Sequence, residues 1–162
     1  MRILIVSDTH GRNTNLEKVI RKVVPIDLLI HLGDFEGSEG DIGNIAPCPV
    51  EMVSGNNDYY SMLDKEKYIK LGKYRVMLTH GHYFYVGYDT TKIKQAAHAR
   101  SCDIVMFGHT HRPLIETNDD VIAINPGSIS YPRQENHKPS YIMMDIDRFG
   151  EAHFTINYFC EQ

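Results

Sequence analysis

Short apolar runs that end in polar or turn-forming residues recur along the chain. Residues 2–7 form the first of them, and their apolar, β-branched composition is typical of a buried strand. Asn13 or Thr14 then begins a helix, because apolar residues recur at helical spacing from there until Pro25 stops it. Residues 27–32 form a second apolar run of strand type. This order predicts a β-α-β unit whose two strands are parallel.

The remainder of the chain predicts one further helix and a series of short strands. Residues 35–44 are rich in glycine and acidic side chains, which favours a loop. A helix is predicted from Thr90 or Thr91 through Arg100, where apolar residues again follow helical spacing. The other strands are predicted over residues 49–53, 68–71, 75–79, 103–107, 114–116, 121–124, 141–146 and 153–158, with 68–71 and 75–79 paired as a hairpin.

Nothing in the sequence divides the chain into separate units. Its 162 residues are close to the size of one domain, and the sequence contains no repeat, low-complexity tract or proline-rich linker. Hydrophobic residues make up 42% of the chain, more than a disordered protein would contain. We therefore expect residues 1–162 to form a single domain of the α/β class.

Charge and cysteine content exclude several classes of protein. The 17 basic and 21 acidic residues give a net charge of −4, so no role as a nucleic-acid scaffold is expected. The three cysteines lie far apart and form no C-x-x-C motif, which disfavours both a disulfide framework and a thiolate zinc site. The first apolar run is too short for a signal peptide or a membrane span. These features predict a cytoplasmic protein without a membrane partner.

Side chains that can bind metal ions follow five of the predicted strands. In α/β sheets, sites assemble at the carboxyl ends of strands, because the loops there carry polar groups while the strands stay rigid. Each short motif by itself also fits an ordinary turn or a surface histidine. Imidazole and oxygen donors without thiolate suit manganese, iron, zinc or nickel better than copper(I). The candidate ligands are Asp8, His10, Asp34, Asn56, His80, His109 and His111.

The order of these motifs resembles that of the calcineurin-like metallophosphoesterase superfamily and is most similar to its small YfcE-like phosphodiesterases. The resemblance extends from Arg2 to about Arg133. It implies a four-layer αββα sandwich in which two mixed β-sheets lie face to face, with a two-metal site at the strand ends. The motifs that carry it are Asp8-Thr9-His10, Gly33-Asp34, Gly55-Asn56-Asn57-Asp58, His80-Gly81-His82, Gly108-His109-Thr110-His111 and Asn125-Pro126-Gly127-Ser128.

The resemblance also implies how metal ions are held and what they do. Two divalent ions are expected, with Mn²⁺ favoured and Fe, Zn or Ni as alternatives. A hydroxide that bridges the two ions would attack a small organic phosphate ester, and Asp34 would count among the catalytic residues. The implied ligands are, for one ion, Asp8, His10 and His111, for the other, Asn56, His80 and His109, and for both, Asp34.

Three residues are candidates for contact with the substrate. The wider family has a histidine where this chain has Asn57, which can donate a hydrogen bond but cannot transfer a proton. His82 is the candidate replacement, because it lies in the same loop as His80; the alternative is a surface histidine without a role. Arg133 follows the Asn-Pro-Gly-Ser loop and could pair with a phosphate oxygen, unless it is simply a solvated cation.

Other residues near the motifs have more ordinary interpretations. His31, within the second predicted strand, is expected to be packed or hydrogen-bonded. The acidic stretch Glu36, Glu39 and Asp41 is expected to be a solvated loop. Aromatic residues that follow two of the motifs either pack the sheets or form a wall for the organic group of an ester. They are Tyr59, Tyr60, Tyr83, Phe84, Tyr85 and Tyr88.

The expected function is that of a metal-dependent phosphodiesterase whose partner is a small phosphate ester. One alternative is a non-catalytic binding scaffold, because the superfamily contains a retromer subunit with the same fold and a changed ligand set. Another is a phosphomonoesterase or cyclic-nucleotide esterase, which would differ in the shape of its pocket. The seven filled ligand positions favour catalysis. A homodimer or higher homo-oligomer is expected by similarity.

Overall fold

Strands and helices occur in the part of the chain that the structure describes in nearly the order that the sequence predicts. The structure is a computed structural model, and it describes residues 1–118 and 120–160. The strands are β1 (Arg2–Val6), β2 (Leu28–His31), β3 (Val50–Met52), β4 (Glu66–Leu71), β5 (Tyr74–Thr79), β6 (Ile104–Met106), β7 (Pro113–Glu116), β8 (Ile122–Pro126), β9 (Ser140–Ile146) and β10 (Ala152–Tyr158). The helices are α1 (Thr14–Val23), α2 (Glu39–Ile45), α3 (Thr91–Ala99) and a 3-10 helix at His82–Phe84. Among these residues, no helix has the length and apolar character needed to cross a membrane.

The strands form two mixed sheets of five strands each. The order is β10-β9-β1-β2-β3 in the first sheet and β4-β5-β6-β8-β7 in the second. In the first sheet β1, β2 and β3 are parallel, which confirms the predicted β-α-β unit with α1 as its crossover. In the second sheet β5, β6 and β8 are parallel, and β4 pairs with β5 as the predicted hairpin. The carboxyl ends of the parallel strands therefore lie together at one edge of each sheet.

Three apolar layers separate the sheets and helices. Successive residues of a strand point to opposite faces, so Ile3 and Ile5 of β1 enter the layer between the two sheets. Leu4 and Val6 of the same strand enter the layer beneath α1 and α2. The second sheet packs in the same way, with α3 on its outer face. This arrangement confirms the expected four-layer αββα sandwich.

The loop predicted over residues 35–44 is wrong, because most of this stretch belongs to helix α2. The helix is short and contains two glycines, which disfavour a helix on propensity alone. Ile42 is fully buried against the first sheet, and this packing stabilises the helix instead. The ends of the other predicted elements differ from the observed ones by two residues or fewer.

Candidate metal centre

The seven candidate ligands lie at the carboxyl ends of parallel strands, as the sequence predicts. In the first sheet, the loop after β1 carries two of them, and the loops after β2 and β3 carry one each. In the second sheet, the loop after β5 carries one and the loop after β6 carries two. In chain order they are Asp8, His10, Asp34, Asn56, His80, His109 and His111.

One group of ligand atoms surrounds Asp8. The Oδ1 atom of Asp8 lies 3.1 Å from His111 Nε2 and 3.9 Å from His10 Nε2. The two imidazole Nε2 atoms of His10 and His111 lie 3.2 Å apart. These three side chains have ligand atoms close enough to bind a single ion.

A second group surrounds His80. Its Nε2 atom lies 3.4 Å from Asp34 Oδ2 and 3.1 Å from Asn56 Oδ1. The ring of His109 packs against that of His80 with 5.2 Å between the centroids. Asp34 Oδ2 is also 3.9 Å from His10 Nε2, and Asp8 Oδ1 is 3.9 Å from His80 Nε2, so both carboxylates lie between the two groups. Each therefore lies where a shared ligand is expected.

The hydrogen bonds of the histidines leave their inner nitrogens free to bind a cation. His80 Nδ1 donates to the backbone carbonyl of Leu32 at 2.7 Å, and His111 Nδ1 donates to that of Tyr131 at 2.6 Å. A carbonyl only accepts hydrogen bonds, so the Nε2 atom of each ring is left to bind a proton or a metal ion. The Oδ1 atom of Asp8 is buried without a hydrogen-bond donor. These donor atoms fit a divalent cation.

The electrostatics of this centre favour positive charge inside it. Burial raises the pKa of Asp34, but hydrogen bonds from His80 and Asn57 outweigh burial and hold this pKa well below its ordinary value. Burial disfavours the charged form of His80, but Asp34 and Asp8 outweigh burial and raise the pKa of His80 to about 9. The two carboxylates thus remain ionised and attract a cation.

The backbone at five of the seven ligands is left-handed, with φ values from 47° to 69°. Side chains disfavour this conformation, so the surrounding structure must hold it in place. Gly55 and Gly108 permit the close packing that does so. A Cβ atom at Gly55 would overlap the carboxylate of Asp34, and one at Gly108 would overlap the hydroxyl of Ser7. The left-handed residues are Asp8, His10, Asp34, His109 and His111.

Asp58 organises the loops after β2 and β3, a role that the sequence alone does not indicate. Its Oδ2 atom accepts hydrogen bonds from the backbone N–H groups of Asp34 and Gly55, both at 2.7 Å. Its Oδ1 atom accepts from those of Phe35 at 2.9 Å and Glu36 at 2.7 Å. One buried carboxylate therefore fixes the backbone on both sides of the candidate bridging ligand. The only sequence signal was its place at the end of the G-N-x-D motif.

His31 confirms its predicted structural role. The backbone N–H of Gly33 donates to His31 Nδ1 at 3.2 Å, so the Nε2–H of the ring donates to Thr9 Oγ1 at 3.1 Å. Burial, the largest influence, lowers the pKa of His31 to about 4, so the ring is neutral at pH 7. It links the loop after β1 to the loop after β2.

Glu36 lies in an exposed turn, as expected, and its side chain also contacts a candidate ligand. Its Oε1 atom lies 2.7 Å from His10 Nδ1. The left-handed backbone of Glu36, with φ of 51°, directs the side chain back toward the centre, and Asp58 holds its N–H. Carboxylates that accept from the outer nitrogen of a ligating histidine fix the orientation of the ring and make it a better ligand.

We expect Glu36→Ala to weaken metal binding by about 10-fold to 100-fold, because His10 would lose the acceptor that orients it. Glu36→Gln keeps an oxygen at the same place and should lose less. The measurement is a Mn²⁺ titration by calorimetry, with the exposed Glu135→Gln as the control. Equal affinity of Glu36→Ala and the unchanged protein would show that the contact has no effect on His10.

Asn57 lies against the candidate bridging carboxylate. Its backbone N–H donates to Asp34 Oδ1 at 2.9 Å, and its side-chain Nδ2 donates to Asp34 Oδ2 at 2.7 Å. The side chain also lines a cavity that opens toward the exposed Tyr59 and Tyr60. Asn57 is therefore placed to orient Asp34, and its contact with substrate stays a prediction.

His82 and Arg133 border the same centre from different sides. The ring of His82 lies 5.5 Å from that of His80 and 6.0 Å from that of His109, between centroids. Burial, with the neighbouring charges of His80 and His109, lowers the pKa of His82 to about 4. Its Nδ1 atom is buried without a hydrogen-bond partner. Arg133 lines one cavity that includes His10 and His111 and a second that includes His109.

The tyrosines that follow the ligand motifs do not pack the sheets. Tyr60 and Tyr88 are 99% and 91% exposed, and Tyr59, Tyr83 and Tyr85 are also exposed. Phe84 alone among these aromatic residues packs against the core beneath α3. Of the two roles expected for these residues, contact with the organic group of an ester stays a prediction for the exposed tyrosines.

Comparison with known proteins agrees with this fold and this arrangement of residues. The sequence model of the calcineurin-like phosphoesterase superfamily domain matches residues 1–148. The chain therefore belongs to the calcineurin-like phosphoesterase superfamily. Members of this family use divalent metal ions, which agrees with two overlapping clusters of potential ligands, Asp8-His10-His111 and Asp8-Asp34-His80.

Two curated relatives have names that describe this kind of chemistry. The probable metallophosphoesterase YsnB of Bacillus subtilis (strain 168) is 30% identical over 148 residues, which cover 91% of this chain and 85% of the relative. The phosphodiesterase YfcE of Escherichia coli (strain K12) is 28% identical over 171 residues, which cover 91% of this chain and 89% of the relative. These names are typical of hydrolases and confirm the resemblance to YfcE-like proteins.

A solved structure of wild-type Vps29 from Entamoeba histolytica, complexed with Zn²⁺, has a similar fold. The TM-score is 0.76, and the match covers 98% of this chain and 99% of the other, at 21% identity. A likeness at this identity concerns the fold alone.

Proposed function

We propose that this protein is a metal-dependent phosphodiesterase that hydrolyses small organic phosphate esters at a two-metal centre. The observation that supports this most strongly is the convergence of inward-facing ligand atoms. Asp8 Oδ1 and the Nε2 atoms of His80 and His111 point into one small volume, while backbone carbonyls hold the outer nitrogens of both rings. One cation would satisfy Asp8 and His111, and a second would satisfy His80.

The proposed ligand sets follow the two groups of side chains. Asp34 is assigned to both ions because it lies between the groups and because the family resemblance implies it as the shared ligand. Asn56 would contribute a neutral amide oxygen, which keeps the centre positive enough to attract a phosphate. When bound, two divalent ions supply a hydroxide nucleophile near neutral pH and offset the charge of the phosphate. The assigned sets are Asp8, His10 and His111 for one ion and Asn56, His80 and His109 for the other, with Mn²⁺ proposed and Fe, Zn or Ni as alternatives.

Asn57 supplies no proton to the leaving group. Asn57 cannot transfer a proton and is already engaged by Asp34. A phenolate needs little protonation to depart, whereas an alkoxide needs a good deal. We therefore propose that diesters with activated leaving groups are the best substrates of this centre.

We expect bis-p-nitrophenyl phosphate to be hydrolysed when Mn²⁺ is present and not after treatment with a chelator. Across a series of aryl and alkyl diesters, kcat/KM should fall steeply as the pKa of the leaving alcohol rises, because Asn57 cannot protonate it. Alkyl monoesters should be poor substrates. Equal turnover of activated and unactivated esters would contradict the absence of an acid at Asn57.

We expect His82→Ala to keep its metal ions and lose rate, because the ring borders the centre without a place in either ligand set. The loss should reach roughly 10²-fold to 10⁴-fold on poor leaving groups if His82 transfers a proton, and should be smaller if it only orients the phosphate. Metal content and kcat are measured beside those of His98→Ala, an exposed histidine of α3. Full metal content with unchanged turnover on every ester would make His82 a surface histidine without a role.

The rival proposal is a binding scaffold without catalysis, which the same fold also supports. The two proposals predict different metal content and different turnover for the purified protein. A protein that binds no divalent ion and hydrolyses none of these esters would be a scaffold. Hydrolysis of monoesters or cyclic nucleotides at the rate of activated diesters would instead favour the esterase alternatives.

A further inference from the structure

A second cavity opens beside the candidate metal centre, on the side of His109. Its volume is about 580 Å³, within the range of small-molecule sites. Two arginines line it, Arg112 directly after the last candidate ligand and Arg133 after the Asn-Pro-Gly-Ser loop. The side chain of Tyr88, almost fully exposed, forms part of its wall.

The two arginines supply positive charge to this cavity. Within residues 1–118 and 120–160, neither guanidinium has a carboxylate within ion-pair distance. Two acidic residues line the same cavity, but both have other partners. Glu116 pairs with Lys94 at 2.6 Å, which offsets its charge. Asp89 keeps its negative charge, and its Oδ1 atom accepts the backbone N–H of Thr91 at 2.8 Å, so the two arginines outnumber the one uncompensated carboxylate. In a chain with a net charge of −4, this is a localised site for an anion.

Arg133 connects this cavity to the metal centre. Besides the cavity that includes His109, it lines a smaller one of about 370 Å³ that includes His10 and His111. An anion held by Arg112 and Arg133 would therefore lie next to a phosphate bound at the metal centre, and not in its place. A substrate that reaches both positions must carry two anionic groups.

We propose that the preferred substrates are small phosphodiesters in which one ester arm carries a second phosphate. The proposal rests on the proposed phosphodiesterase function and names its substrate class. The scissile phosphate occupies the metal centre, Arg112 and Arg133 hold the second phosphate, and the organic spacer lies along Tyr88. Guanidinium groups suit this role because they donate two parallel hydrogen bonds to phosphate oxygens.

The test compares two substrates that differ only in the second phosphate. They are thymidine 5′-(p-nitrophenyl phosphate) and the same ester with a phosphate on its 3′ oxygen. With Mn²⁺ present, we expect kcat/KM to be about tenfold higher for the doubly phosphorylated ester, mainly through KM, since one charge-assisted contact is worth about one decade. Arg112→Gln should reduce this ratio toward one.

Arg148→Gln is the matched control. Arg148 lies in the turn between β9 and β10, at the end of the first sheet opposite the metal centre, and should leave the ratio unchanged. A ratio near one in the unchanged protein would overturn the proposed substrate class while leaving the phosphodiesterase function intact. A high ratio that survives in Arg112→Gln would also overturn it, because the preference would then have another source.

A binding measurement decides the proposal even if neither ester is hydrolysed. Calorimetry of the Mn²⁺-loaded protein should give about tenfold tighter binding for thymidine 3′,5′-bisphosphate than for thymidine 5′-monophosphate, and Arg112→Gln should remove the difference. Equal affinities would contradict the second phosphate site. Tighter binding without turnover would contradict the phosphodiesterase function and support the anion site.

Discussion

Asp34→Ala is expected to lose both metal ions and nearly all phosphodiesterase activity. The carboxylate of Asp34 lies between the two groups of candidate ligands, 3.4 Å from His80 Nε2 and 3.9 Å from His10 Nε2. Its removal takes a ligand from each ion and a negative charge from between them. We expect kcat/KM to fall by about 10³-fold, which corresponds to a loss of about 4 kcal/mol in transition-state stabilisation.

Metal content and the hydrolysis of bis-p-nitrophenyl phosphate measure this effect together. Asp41→Ala, an exposed carboxylate on α2, controls for the loss of one negative charge. Circular dichroism shows whether each variant folds. If Asp34→Ala folded, kept two ions per chain and retained activity, Asp34 would not be the shared ligand.

Asp58→Asn is expected to destabilise the protein by about 3 kcal/mol. The carboxylate accepts four backbone N–H groups, two at each oxygen. An amide has one accepting oxygen, so two donors would lose their acceptor and face an NH₂ group, at a cost of roughly 1–3 kcal/mol each. In a chain of 162 residues this lowers the melting temperature by about 6–12 °C.

The matched control for this variant is Asp64→Asn, an exposed position in the loop that follows β3. Thermal unfolding compares the two variants in the absence and presence of Mn²⁺. We also expect weaker metal binding in Asp58→Asn, because the backbone of Asp34 would no longer be fixed. Equal melting temperatures for both variants would contradict the role assigned to Asp58.

The strand framework could be predicted because each strand is a short apolar run with a polar end. Helix α2 could not, because the local preference of Gly40 and Gly43 for irregular backbone opposes the helix that Ile42 stabilises by packing. That packing involves residues of the first sheet that lie far from α2 in the chain. Tertiary contact here outweighs propensity, and a single sequence does not display it.

The candidate ligands were predictable for a related reason. Residues that directly follow parallel strands meet at one edge of a sheet, so their position in the chain already indicates their position in space. The roles of Glu36 and Asp58 could not be predicted in this way. The left-handed backbone of Glu36 sets its contact with His10, and the packing of two loops sets the contacts of Asp58. Neither the spacing of 26 residues between His10 and Glu36 nor their residue types indicates a contact.

The proposed centre holds two metal ions that share Asp34 at the strand ends. Anomalous diffraction from crystals grown with excess Mn²⁺ tests it most directly, because manganese can be located independently of the protein atoms. We predict two anomalous peaks per chain, with the carboxylate of Asp34 in contact with both and Asn56 and His80 at the second. A single peak, or a carboxylate of Asp34 turned away from both ions, would contradict the account.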